Sequence, residues 1–153
     1  MGLAQSAEAP DSPENFDLTV DVELDPDALA PTYHTPGSGA FTIFAPRDMR
    51  LDYGRWTLIH TGVTFRLPFM LVISVDALNP DPTLLVHGTV LDCDSEELCL
   101  WLCYWPNGPS VEQTTWKPME VRRGDPIARG LVLPIARPAF TLYEPGTDEG
   151  ETV

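Results

Sequence analysis

Proline and glycine set the terms on which this chain can fold. Sixteen prolines and 11 glycines fall among its 153 residues, and a proline inside a helix removes an amide donor and clashes with the preceding turn, at a cost of about 3 kcal/mol. From Gly39 onward the two residues leave little room for a helix of three turns. Between them lie short runs of Val, Ile, Thr, Leu and aromatic residues, the types that fit a pleated sheet. The predicted strands are Ala40 to Phe44, Trp56 to Ile59, Thr64 to Leu67, Met70 to Val75, Thr83 to Val90, Glu97 to Trp105, Met119 to Val121 and Ala128 to Leu133. Pro106-Asn107-Gly108 and Arg123-Gly124-Asp125-Pro126 read as turns. The expectation is an all-β jelly-roll-like sandwich or barrel without internal repeats.

A chain of this length is one domain, able to bury roughly two-thirds of its extended surface. Net charge is -14, and its placement divides the chain into three. Residues 1–30 hold eight acids and no Lys or Arg, and the tail from Glu144 adds Asp148, Glu149 and Glu151. Removing those twelve from 23 acids leaves 11 against 9 bases, so residues 31–143 form a nearly neutral body. The expected organisation is a flexible acidic arm over 1–30, a β domain over 31–143 and an acidic tail over 144–153. Asp17 to Leu24 alternates polar and apolar residues, and this offers an edge strand for the domain or for a neighbouring subunit.

The acidity argues against nucleic acid, whose phosphates need clustered cations, and Lys117 is the only lysine. No apolar run is long enough for a transmembrane helix and no secretory signal opens the chain, which predicts a soluble intracellular protein. Cys93, Cys99 and Cys103 lack the spacing of a metal site and read as reduced, buried thiols. In a strand from Leu98, Cys99, Trp101 and Cys103 share one face, and Leu98, Leu100 and Leu102 the other. His34, His60 and His87 show no ligand spacing, so no metal site is expected. Asp92, Asp94, Glu96 and Glu97 could hold Mg2+ or supply a base, but a solvated turn is the favoured reading.

Four segments together point to a family. Ser38-Gly39-Ala40-Phe41-Thr42-Ile43-Phe44-Ala45-Pro46 is similar to A-G-Y-D-L-x-A-P, and Thr61-Gly62-Val63 with Leu67-Pro68 to T-G-V/I-x-x-x-I/L-P. Gly88 to Asp94 resembles G-x-I-D-x-D-Y, and Arg123 to Leu131 resembles R-x-G-D-R-I-A-Q-L-V. In this order they resemble the trimeric dUTP diphosphatases, from about Gly37 to Phe140. The resemblance implies a dUTPase-like jelly-roll or β-clip sandwich assembling as a homotrimer.

The same alignment implies lost chemistry. Asp92 alone could activate water as the family's catalytic Asp does, and it stands as a vestigial candidate. Ser95 replaces the aromatic that packs under the sugar, and Thr42 the Asp of the first motif. Pro126 and Arg129 replace the Arg and Gln of the last. The phosphate-binding P-R-S-G falls on Ile73 to Leu78, where Asp76 sets a negative charge against a triphosphate. Arg122, Arg123 and Arg129 with the backbone at Gly124 could still bind phosphate. The alternative is that Asp125 and an Arg lock the turn while Leu131, Leu133 and Ile135 fill the core. Trp101, Trp105 and Trp116 read as core or subunit contacts.

Non-enzymatic relatives of this family include adenoviral early-region-four proteins, which use the scaffold to engage host proteins through a C-terminal PDZ ligand. The chain resembles them, and this implies a viral regulatory protein without cofactors, at work in the host cytoplasm or nucleus. Glu151-Thr152-Val153 fits the acidic PDZ class, against the plain alternative of an inert tail. Met1-Gly2-Leu3-Ala4-Gln5-Ser6 matches the myristoylation pattern, but eight following acids would oppose an anionic membrane, so stable membrane insertion is not expected. A working dUTP diphosphatase, with Mg2+, Asp92 as base and Arg123 on phosphate, is the alternative function.

Overall fold

The computed structural model describes residues 18–78, 83–92, 96–106 and 117–146. Eleven strands account for their regular structure: β1 (Asp21–Leu24), β2 (Thr32–Tyr33), β3 (Ala40–Phe44), β4 (Met49–Leu51), β5 (Trp56–Arg66), β6 (Leu71–Ala77), β7 (Leu84–Val86), β8 (Thr89–Leu91), β9 (Glu96–Tyr104), β10 (Met119–Val121) and β11 (Pro126–Pro134). They form a four-stranded sheet in the order β1-β5-β9-β7, a five-stranded sheet in the order β2-β3-β11-β6-β8, and a β10-β4 ribbon. Every ladder is antiparallel. No helix among the described residues is long and apolar enough to cross a membrane.

The core lies between the two larger sheets. Ile59, Val63 and Phe65 of β5 and Leu98, Leu100 and Leu102 of β9 meet Phe41 and Ile43 of β3, Ile73 and Val75 of β6, and Leu91 of β8. Phe41 and Phe65 reach across the layers with ring centroids 5.9 Å apart. Fully burying one such aliphatic or aromatic side chain stabilises the fold by roughly 1.5–3 kcal/mol. Leu98, Leu100 and Leu102 point inward as their alternation predicts, while Trp101 on the opposite face stays 46% exposed.

Several boundaries differ from the sequence expectation, each for a tertiary reason. Trp56 to Ile59 and Thr64 to Leu67 are parts of one strand, because Gly62 adopts φ 74° and carries the chain through a bulge. Thr83 to Val90 is instead two strands: Leu84–Val86 pairs with β9 in one sheet and Thr89–Leu91 with β6 in the other. Asp21–Leu24, by contrast, forms the edge strand that the alternation of Asp17 to Leu24 offered, pairing with β5 from Asp21↔Arg66 to Leu24↔Val63. The ion pair of Arg66 with Glu23 joins the two strands at the surface.

Leu131 and Leu133 do not fill the core. They are 41% and 40% exposed, whereas Ala128 and Gly130 are buried and Val132 packs against the core. The register shift between Pro126 and Ala128 seats Gly130 opposite Phe41, and a Cβ at Gly130 would lie 2.4 Å from Cζ of that ring. Only glycine lets the ring lie across β11. Gly130→Ala is therefore expected to destabilise the fold by about 1–3 kcal/mol through overpacking. Urea unfolding checks this, and Phe41→Leu in the same background should restore part of the loss.

Candidate functional site

The substituted motif positions converge on one cleft. Thr42, Leu78, Pro126 and Arg129 line it together with Tyr33, His34 and Phe44, around a volume of about 590 Å³. Strand register explains the grouping: Arg129 of β11 pairs with Thr42 of β3 on one side and with Asp76 of β6 on the other. Cross-strand partners have Cβ atoms roughly 4.5–5.5 Å apart, so Asp76 neighbours Arg129, which carries the only guanidinium among the described lining residues. Asp76 also accepts the Ala77 N–H at 2.7 Å through Oδ1. No carboxylate is among the described lining residues. A triphosphate placed here would meet one guanidinium among the described lining residues.

The Arg-Arg-Gly-Asp turn is closed on itself. Asp125 Oδ2 accepts the Arg122 N–H at 2.9 Å, Asp48 Oδ1 accepts the Arg123 N–H at 2.8 Å, and the Ala45 carbonyl accepts the Gly124 N–H at 2.9 Å. The Ala45 N–H returns a bond to the Asp125 carbonyl at 2.9 Å. Gly124, at φ 93°, makes this reversal without steric strain. The Arg123 guanidinium donates to the Asp27 carbonyl through Nη2 at 3.1 Å and Nε at 3.3 Å. The amides that would form an anion nest are thus engaged within the fold, and Arg123 ties the N-terminal segment to the turn.

Asp92 stands elsewhere. Leu91 pairs with Ile73 and Ile73 with Val132, so exposed Asp92 leaves the sheet beside the far end of β11, whereas Arg123 precedes its beginning. Six residue steps from Pro126 to Val132 span roughly 20 Å of strand. Within one chain Asp92 and Arg123 therefore lie toward opposite ends of β11. Gly2, Cys93, Asp94, Ser95, Trp116 and the Glu151-Thr152-Val153 end lie outside the described residues.

Strand pairing assembles a second group of polar side chains that sequence spacing conceals. His60 of β5 is the register partner of Cys99 on β9, and Glu97, two residues before Cys99, projects from the same face. His60 Nδ1 is 3.3 Å from Glu97 Oε1 and 3.3 Å from Cys99 Sγ, with 4.0 Å between sulfur and Oε1. Burial raises the Cys99 thiol above its ordinary pKa and the Glu97 carboxylate adds to the shift; burial raises Cys103 as well. Only thiolate is nucleophilic, and a raised pKa lowers the thiolate fraction at any pH below it. With EDTA present, Cys99 and Cys103 should react with iodoacetamide at pH 8 more slowly than a free peptide thiol. Mass spectrometry of the alkylated sites should show the rates climbing as pH rises past the ordinary thiol value.

No protein-family model matches the chain, and no curated protein matches it by sequence. Solved structures do. A dUTPase from phage phi11 of S. aureus superposes with TM-score 0.69 at 15% identity, over 85% of this chain and 99% of that one. A mutant of the phi11 enzyme, described with a structural Mg(II) ion, gives TM-score 0.72 at 16% identity over 84% and 99%. The dUTPase of Staphylococcus bacteriophage 80alpha gives TM-score 0.69 at 16% identity over 82% and 96%. At these identities the likeness is one of architecture: the chain is an all-β protein with a dUTPase-like fold.

Proposed function

We propose that this chain is a non-catalytic protein on a dUTPase-like scaffold, of viral origin, that engages host proteins as a homotrimer. The observation that carries this reading is the composition of the motif-lined cleft. Thr42 and Pro126 replace polar positioning groups, the described lining residues include no carboxylate, and Arg129 is the register partner of Asp76. Catalysis needs its positioning groups together, and loss of several leaves little rate enhancement.

The exposed apolar surface supports assembly. Phe140, Leu142 and Tyr143 are 95%, 92% and 72% exposed in the single chain, and Phe69 is 65% exposed. Large apolar side chains left this exposed are suited to an interface, and a three-fold arrangement would cover them while presenting three C-termini together. Weak binding of Glu151-Thr152-Val153 to PDZ domains would then gain avidity. In this reading the chain needs no cofactor and works in the cytoplasm or nucleus of the host cell.

Likeness of fold to working phage enzymes favours the alternative, an active dUTP diphosphatase whose sites form between subunits. Incubation with dUTP and Mg2+ separates the two. The proposal expects no dUMP or pyrophosphate above background, and turnover abolished by Asp92→Asn would establish the alternative. Light scattering should give three times the mass of the chain, and Phe140→Ser/Leu142→Ser should shift it toward the monomer. For the tail, deleting Glu151 to Val153 should remove PDZ-domain proteins from a pull-down, and an unchanged set of captured proteins would retire that part of the proposal.

A further inference from the structure

We propose that His60 Nδ1, Glu97 Oε1 and Cys99 Sγ form a binding site for one zinc(II) ion, on the outer face of the four-stranded sheet. The three donors lie within 4.8 Å of one another, at separations of 3.3, 3.3 and 4.0 Å. Zinc bonds of about 2.0 Å to nitrogen and oxygen and 2.3 Å to sulfur at tetrahedral angles place such donors roughly 3.3–3.6 Å apart. The group is therefore close to ligand geometry before any ion arrives, and small side-chain rotations complete it.

The donor types select the ion. An imidazole, a thiolate and a carboxylate suit a borderline divalent metal, whereas magnesium and calcium prefer sites made of oxygen alone. Nδ1 faces both sulfur and carboxylate, and it cannot donate a proton to Glu97 while accepting one from Cys99. A cation satisfies all three lone pairs at once. On binding, the Cys99 S–H bond breaks, its electron pair passes to zinc as an S–Zn bond, and the proton leaves to solvent.

The ligands stand on a rigid frame. His60 and Cys99 are paired across β5 and β9, and the second carboxylate oxygen of Glu97 is fixed by the Gly62 N–H at 3.0 Å. That outer contact orients Oε1 toward the other two donors, the role a supporting hydrogen bond plays at metal sites. His60 and Glu97 also border a cleft of about 280 Å³ lined with Asp25, Asp27 and Arg47. The cleft gives the ion a path and leaves a fourth position for water. This inference is independent of whether the chain hydrolyses dUTP.

The test uses the untagged, reduced, metal-stripped full chain, titrated first with cobalt(II) and then with zinc(II). The expected result is a thiolate-to-cobalt charge-transfer band that saturates at one equivalent and is bleached by zinc. Cys99→Ser should abolish the band, and Cys103→Ala should retain it. His60→Ala, which alters a side chain that is 61% exposed and so leaves the fold intact, should weaken zinc binding at least tenfold. Absence of the band, its persistence in Cys99→Ser, or unchanged zinc affinity in His60→Ala would show a hydrogen-bonded surface cluster instead and overturn the assignment.

Discussion

The architecture turns on the bulge at Thr61-Gly62 in β5. His60 pairs with Cys99 and Thr64 with Glu97, so four steps along β5 face two along β9. Polar groups at that mismatch find partners nearby. Thr61 donates its hydroxyl to the Leu98 carbonyl at 2.7 Å and accepts the Val63 N–H at 3.2 Å. Glu97 takes the Gly62 N–H, and the Gly62 carbonyl accepts the Asp25 N–H at 2.9 Å. Leaving one such buried group unsatisfied would cost about 1–3 kcal/mol. Gly62 is irreplaceable on two grounds: its φ is positive, and an added Cβ would lie 2.9 Å from that of Ala28.

The consequences spread outward from that point. Because the bulge lets β5 continue, one strand of 11 residues supports both β9 and β1. The Asp25 to Ala28 turn pressed onto Gly62 brings the Asp27 carbonyl to Arg123, and the Arg-Arg-Gly-Asp turn is held to Ala45 and Asp48. The backbone of the Arg-Arg-Gly-Asp and Thr-Gly-Val segments therefore serves as joints of the scaffold.

How much of this was legible in the sequence depends on the range of the interaction. Proline spacing and β-rich composition excluded long helices, and the alternation of Leu98, Leu100 and Leu102 identified the inner face of β9, because both are local properties. Thr61-Gly62-Val63 stood out as a motif, yet the bulge did not, since its carboxylate partner is 35 residues away. The inner face of β11 was misread because Leu131 and Leu133 are more hydrophobic than Gly130. Phe41, on another strand, decides that parity. His60 and Cys99, 39 residues apart, likewise gave no spacing signal before the strands were paired. Thr42, Asp76 and Arg129 were recognisable one by one as departures from a motif, and only the register of three strands shows that they stand in a single row.

The central claim is that a hydrolase-like β scaffold persists here without a working grip on a nucleoside triphosphate. Titration calorimetry of the full chain with a non-hydrolysable imido analogue of dUTP and Mg2+ tests it most directly, because binding is read apart from chemistry. The account predicts heats no larger than dilution, the same for the deoxyuridine and deoxycytidine analogues. Saturable micromolar binding selective for the deoxyuridine analogue would contradict it.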